Sequence, residues 1–155
     1  MAIEAFRIGK TKFADSFLDG EGSYKYGGRW NSRRKRVVYT AESLSLATLE
    51  IVVHFDAAQV RAGYSFATAR FSEKQVLFVE DLAELPKNWR DSPAPLQVQD
   101  IGDAWVQSAS SLVLRVPTTL LPIGFNYLIN VKHPDFSKLK IGESRPLSLD
   151  ERLMT

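Results

Sequence analysis

Only two stretches of this chain carry helical periodicity, and short β-branched or aromatic runs fill most of the remainder. From Ser43 to Phe55, Leu46, Leu49 and Val53 recur at helical spacing behind Ser43, a residue type that caps helix starts. From Leu96 to Ala109, Ile101, Trp105 and Ala109 fall on one stripe. Strands are predicted at Arg29-Trp30, Val37–Thr40, Tyr64–Phe71, Val76–Glu80, Leu112–Val116 and Phe125–Ile129, with a further edge strand within Leu147–Met154. Pro117 ends the fifth of these. Helices and strands are interspersed without regular strand–helix–strand units, so the pattern argues for an α+β domain rather than a doubly wound parallel sheet.

The connections are equally readable. Gly20 to Gly28 (GEGSYKYGG) is a glycine-rich turn, and Arg33-Arg34-Lys35-Arg36 is a charged hairpin connection. Pro86 to Pro95 holds three prolines, and its flanks do not differ in composition. It is a surface loop, not a domain boundary, and residues 1–155 are read as one domain. His133-Pro134-Asp135 is a turn.

Composition then excludes several functions. With 155 residues and a net charge of +2, the chain is not built to coat nucleic acid or an anionic membrane. The absence of cysteine removes disulfides, cysteine-ligated zinc, iron–sulfur clusters and thiol nucleophiles. The two histidines, His54 and His133, are too far apart for a His-x-x-x-His metal site, so no metal is expected. Met1 to Arg7 has no apolar signal region, and no run approaches the roughly 18 apolar residues of a membrane helix. A cytoplasmic, membrane-free location is the expectation.

Two residues stand out chemically. Glu50 is the one ionisable side chain between Ser43 and Val53, in a helix apolar on nearly every face. Such a helix is buried, and a buried carboxylate needs a partner. The other reading places Glu50 on a solvated strip with Ser43 and His54. Arg29 follows Gly27-Gly28, which permits close backbone approach to a ligand, and a guanidinium suits phosphate. The other reading is an ordinary turn with a surface arginine. The glycines fit neither the dinucleotide fingerprint nor the P-loop spacing. Arg33–Arg36 could contact nucleic acid, but such runs are more often solvated hairpin tips.

Taken in order, these residues resemble the RES-domain toxins, a family named for an arginine, a glutamate and a serine. The pieces that carry the resemblance begin with Phe6-Arg7-Ile8, Gly20-Glu21-Gly22, Gly27-Gly28-Arg29-Trp30-Asn31 and Val37-Val38-Tyr39-Thr40. They continue with Leu46-Ala47-Thr48-Leu49-Glu50, Leu114-Arg115-Val116-Pro117-Thr118, Asn126-Tyr127-Leu128-Ile129-Asn130, His133-Pro134-Asp135-Phe136 and Asp150-Glu151-Arg152-Leu153. The resemblance implies a mixed, mostly antiparallel core like that of ADP-ribosyltransferases, acting on NAD as substrate without a resident cofactor. It implies loss of NAD by hydrolysis, phosphorolysis or ADP-ribosyl transfer. It also implies an Xre-type antitoxin partner that blocks the pocket, with nucleic acid reached only through that partner. Arg29, Tyr39 and Glu50 match the family's pocket residues. The serine is placed at Ser110, with Ser111 adjacent, while Thr118 stands where many relatives have serine after Val-Pro.

On this reading Glu50 stabilises the positive charge that develops on the ribose, and Arg29 holds the pyrophosphate. Tyr39 stacks nicotinamide and offers its hydroxyl, and Ser110 orients amide or ribose. Two other classes compete: an RNA-binding or RNA-cleaving module using Arg33–Arg36 with His54 and Glu50, and a non-catalytic interaction domain.

Overall fold

An eight-stranded sheet runs through the molecule and is joined at its middle by one residue pair. The structure, a computed structural model, describes residues 1–54, 63–150 and 152. The elements in chain order are β1 (Ala2–Lys10), α1 (Glu21–Tyr26), β2 (Val37–Ala41), α2 (Leu44–His54), β3 (Tyr64–Ser72) and β4 (Val76–Phe78). There follow the single turn α3 (Val79–Leu82), then α4 (Leu96–Ser108), β5 (Val113–Pro117), β6 (Phe125–Asn130), β7 (Lys140–Ile141) and β8 (Arg145–Pro146). The strand order is β4-β5-β6-β2-β1-β3-β7, with β8 also paired to β3. β4 and β5 run parallel, and the other pairs are antiparallel. This is the α+β, mostly antiparallel core that the sequence predicts.

The pairing is uneven. β1 and β3 pair along their full length, from Ala2↔Ser72 to Lys10↔Tyr64. β2 pairs with β6 from Val37↔Asn130 to Ala41↔Asn126. Between these two halves, β1 meets β2 at Phe6↔Ala41 alone. The sheet is therefore two paired halves with a split between them, and Arg7 is the next residue of β1 beyond that join.

Alternation of side chains divides the core between the two faces. On one face, Ala5, Val38, Ala67, Val113, Tyr127 and Ile129 pack with Phe17 and Leu18. The other face is covered in two places. α4 and Trp30 lie over Leu114, Val116 and Leu128, with Val98 and Trp105 fully buried between them. α2 lies over Ile8 and Ala41 through Leu46 and Ala47. Each such fully buried aliphatic or aromatic side chain contributes on the order of 1.5–3 kcal/mol.

α2 begins where Ser43 predicts, since the Ser43 hydroxyl accepts the Leu46 N–H at 3.0 Å. It is described as far as His54, and the expected last residue, Phe55, lies outside the described residues. Burial on all sides is not observed: Leu49, Val52 and Val53 are exposed on the outer side of the helix. Packing against a single face of the sheet covers one flank of a helix, and the apolar composition does not alter that geometry.

Several predicted elements change character. Gly20–Gly28 is not a plain turn, because Glu21–Tyr26 within it is helical, punctuated by Gly20 and Gly27 at φ +72° and +73°. Arg29-Trp30 is not a strand; Gly28 and Asn31 form an isolated bridge around it. Val76–Glu80 is strand only to Phe78 and then turns helical. The predicted tail strand is not seen at residues 147–150, and residues 151, 153 and 154 of it lie outside the described residues; the strand pair Arg145-Pro146 lies just before it. His133-Pro134-Asp135 starts a short 3-10 turn, with His133 Nδ1 accepting the Asp135 N–H. No helix among the described residues is long and apolar enough to cross a membrane.

Candidate functional site

Glu50 sits one helical turn beyond Leu46 and Ala47, so the face of α2 that packs on the sheet also carries its carboxylate inward. There the side-chain amide of Asn126 donates to Glu50 Oε1 at 2.7 Å. The same nitrogen donates to the Thr40 carbonyl at 3.1 Å. Asn126 stands opposite Ala41 on β2 and Val116 on β5. It thus lies on the face covered by both helices, between the patch under α2 and the patch under α4.

Arg7 lies at the split. Its Nη1 crosses from β1 to donate to the Tyr39 carbonyl of β2 at 3.2 Å. Burial of the guanidinium pulls its pKa down, while the negative charges of Glu50 and then Asp19 oppose that shift. An arginine keeps its charge even so. Its buried Nε has no hydrogen-bond partner among the described residues. A buried, positively charged group with an unmet donor is costly to a folded protein, and a bound anion or acceptor relieves that cost. Arg7 thus feels the charge of Glu50 across the split, although strand alternation starts its side chain on the face of Ala5 and not on the face under α2.

Tyr39 points away from solvent at its polar end. Its hydroxyl donates to Asn31 Oδ1 at 2.6 Å and accepts the Trp30 N–H at 2.9 Å. Burial pushes the phenol pKa well above its ordinary value, so the group stays neutral. The hydroxyl predicted to meet a ligand is therefore an internal brace. The reason is the backbone: Gly28 approaches so closely that a Cβ there would stand 2.5 Å from the Tyr39 oxygen. Asn31 is fully buried and satisfied, accepting also from Ser23 Oγ at 2.8 Å and donating to the Ser32 carbonyl at 2.9 Å.

α4 holds this turn from beneath. Gln99 Nε2 donates to the Gly28 carbonyl at 3.0 Å, and Asp103 accepts the Ser32 N–H at 2.9 Å. Arg29, half-buried, uses Nη1 to donate to the Trp89 and Asp91 carbonyls at 3.0 and 2.8 Å. Burial lowers its pKa, and the nearby Tyr39 and Asp91 raise it. Arg29 thus also ties the Pro86–Pro95 loop to the glycine turn. A chain of direct contacts runs from Arg29 and Trp30 through Tyr39 to Arg7.

Ser110 is not part of this arrangement. It is exposed, bonded to Ser108, and precedes β5 at the end away from Asn126. About 10 Å of strand separates Val113 from Val116, the partner of Asn126, and Ser110 lies three residues further out. Ser111 is buried and structural, accepting from Trp105 Nε1 at 2.9 Å and donating to the Val113 carbonyl at 2.7 Å. Thr118 occupies the right end. Two residues beyond Val116, its N–H donates to the Gly124 carbonyl at 2.9 Å, and its buried hydroxyl accepts the Leu120 N–H at 3.2 Å, with its proton left to donate.

The basic run is partly committed within the protein. Arg36 pairs with Glu21 at 2.7 Å and Lys35 with Asp103 at 3.8 Å, leaving Arg33 and Arg34 exposed. The side chain of His54 lies outside what the structure describes. A cavity of about 610 Å³ opens on the opposite face, lined by Asp15, Phe17, Leu18, Asp19, Phe136 and Glu143 among others. Its three carboxylates make it a poor cradle for phosphates. Among the described residues no cluster of His, Asp or Glu is placed to hold a metal ion.

Sequence reasoning passed over Arg7 and Asn126 as site residues. Both belong to segments that carry the family resemblance, which is the signal that could have marked them. The comparisons with known proteins agree with that resemblance. The RES domain family model matches residues 4–150. A protein named Toxin Res from Yersinia enterocolitica is 35% identical over 150 residues, covering 96% of this chain and 97% of its own. A protein named Prs ADP-ribosylating toxin from Sphingobium is 33% identical over 148 residues, covering 94% and 91%. Among solved structures, the Mycobacterium tuberculosis MbcT–MbcA toxin–antitoxin complex contains a chain of the same fold, with a TM-score of 0.79 at 19% identity, covering 96% of this chain and 85% of that one. A family model spanning nearly the whole chain, relatives of matching length and a shared fold lead to one assignment: this chain belongs to the RES domain family.

Proposed function

We propose that this protein is the toxin of a toxin–antitoxin pair and that it cleaves the nicotinamide–ribose bond of NAD. The observation that carries the reading is the Glu50 carboxylate, held at 2.7 Å by Asn126 and electrostatically coupled to the buried Arg7 beside the split in the sheet. The relatives named as toxins support the toxin role, and the one named as ADP-ribosylating supports the chemistry.

In the proposed reaction the C–N glycosidic bond breaks and its electron pair passes to the pyridinium nitrogen. Nicotinamide therefore departs neutral and needs no strong general acid. The ribose is left as an oxocarbenium-like cation, which the Glu50 carboxylate stabilises. The acceptor, whether water, phosphate or a protein side chain, adds to that carbon and releases its proton. Arg7, with an unmet Nε–H, and Arg29, through the nitrogens not engaged with the loop, take the diphosphate and ribose oxygens. Tyr39 fixes the turn that presents Arg29, and Thr118 supplies the hydroxyl first assigned to Ser110. The partner is an Xre-type antitoxin, and the place of action is the cytoplasm, where NAD is available.

Glu50→Gln keeps the size of the side chain and removes its charge. Turnover of NAD is expected to fall about 10²–10³-fold, the scale of one lost electrostatic stabiliser, with a smaller change in KM because the charge develops only in the transition state. Arg29→Ala is expected to raise KM more than it lowers kcat. A folded Glu50→Gln protein with undiminished turnover, read by product identification with and without phosphate, overturns the mechanism.

A further inference from the structure

We propose that Asn126 is a positioning residue that sets the orientation of the Glu50 carboxylate without neutralising it; this rests on the NAD-cleaving reading above. Glu50 stands near the end of α2, where the outer residues Leu49, Val52 and Val53 are exposed and leave the helix packed on one side. A glutamate side chain has rotors that cost on the order of 1.5–2 kcal/mol to fix. From across the sheet, β6 supplies a hold on the carboxylate. Asn126 stands in register with paired residues on both sides, Ala41 and Val116, so its backbone is fixed on both edges. Its amide nitrogen then has two acceptors, the Thr40 carbonyl at 3.1 Å and Glu50 Oε1 at 2.7 Å. Two acceptors require the NH₂ end of the amide to face them, so the donor direction is settled by the network.

The choice of amide has a chemical consequence. A lysine or arginine here would orient the carboxylate equally well, but as an ion pair it would cancel the negative potential that a ribosyl cation needs. Asparagine is a neutral donor: it restricts the carboxylate and leaves the charge in place. Arg7, which feels the charge of Glu50, reaches across to the Tyr39 carbonyl, with Nε unpartnered among the described residues. Asn126 and Arg7 therefore divide the work, Asn126 orienting the carboxylate and Arg7 serving the substrate.

The test is a double-mutant cycle on the full chain, read as kcat and KM for NAD beside the melting temperature. Asn126→Ala is expected to lower kcat about 10–150-fold, the worth of a hydrogen bond to a charged group, with KM shifted less than about threefold. In a Glu50→Gln background the same change is expected to cost under about twofold, because the residue acts through the glutamate. Asn126→Asp keeps the shape and places a second carboxylate against Glu50; its kcat is expected to fall at least as far, and it carries the test should Asn126→Ala not fold. Losses that multiply in the double variant, or a wild-type kcat in a folded Asn126→Ala or Asn126→Asp protein, overturn the proposal. Wild-type turnover in Glu50→Gln alone sinks the NAD-cleaving reading instead, so the two failures are distinguishable.

Discussion

At the scale of single residues, Tyr39 shows how a group selected for its chemistry can serve the site through geometry. Its hydroxyl joins the Trp30 N–H to Asn31 Oδ1, and the resulting brace presents Arg29. Tyr39→Phe removes one donor and one acceptor together. Asn31 Oδ1 keeps its bond from Ser23, whereas the N–H of the buried Trp30 loses its partner. A loss of about 1–3 kcal/mol is expected from that unsatisfied donor, or roughly 2–12 °C in melting temperature for a chain of this size. KM for NAD is expected to rise as the Arg29 turn loosens, while kcat per folded molecule stays within a few-fold of wild type. A Tyr39→Phe protein with unchanged melting temperature and a collapsed kcat means the hydroxyl acts on substrate instead. Arg29 and Glu50 were legible because their neighbours are unusual, two glycines for one and an apolar helix for the other. Arg7 was not, because a lone arginine in Phe6-Arg7-Ile8 reads like any outward-facing strand charge until the pairing on one side of it stops. Ser110 misled for a related reason: three serines surround one alanine, and only the strand register shows which end of β5 faces Asn126.

At the scale of elements, helix contacts set what the site loop can do. Gly102 on α4 lies so near Trp30 that a Cβ there would stand 1.6 Å from the Trp30 carbonyl oxygen. The obstacle is backbone, which cannot rotate aside as a side chain can. Gly102→Ala gains about 1 kcal/mol of helix propensity but forces α4 away from the loop, and overpacking of this kind costs about 1–3 kcal/mol or more. The net expectation is a lower melting temperature together with a weaker hold on NAD, since Trp30 is covalently next to Arg29. A stabilised Gly102→Ala protein would show that the loop is free to move outward. Helices α2 and α4 were readable because their apolar spacing persists over 11 and 13 residues. α1 was hidden by the glycines at Gly20 and Gly27, which mark its two ends and not a continuous turn. β1 carried weak alternation, with Glu4 and Arg7 interrupting it, and its place in the sheet comes from pairing with β3, a contact between distant segments that no local pattern encodes.

At the scale of the whole molecule, the sheet is two well-paired halves meeting at Phe6 and Ala41, and the proposed site sits where they part. On the proposed reading the dinucleotide enters between α2 and α4, which occupy the same face on either flank of Asn126. A partner that seats over this opening competes with the dinucleotide for the same charged groups, and the structural neighbour is a toxin solved together with its antitoxin. The proposed antitoxin is therefore expected to suppress NAD turnover in the purified complex. Linkage then makes a stricter demand. If antitoxin and NAD exclude each other, each must weaken the other's binding by the same factor. ADP-ribose, which keeps the diphosphate and both riboses but cannot be cleaved at the missing bond, should lower the antitoxin's apparent affinity in proportion to its own occupancy. The antitoxin at about a thousand times its Kd should add about 4 kcal/mol of stability to the folded toxin, or roughly 8–16 °C in melting temperature, and saturating ADP-ribose should reduce that gain. Titrating one ligand against a fixed level of the other by calorimetry reads both effects. A complex whose affinity is indifferent to ADP-ribose, while turnover is still lost, would place the antitoxin away from the opening and make its inhibition conformational.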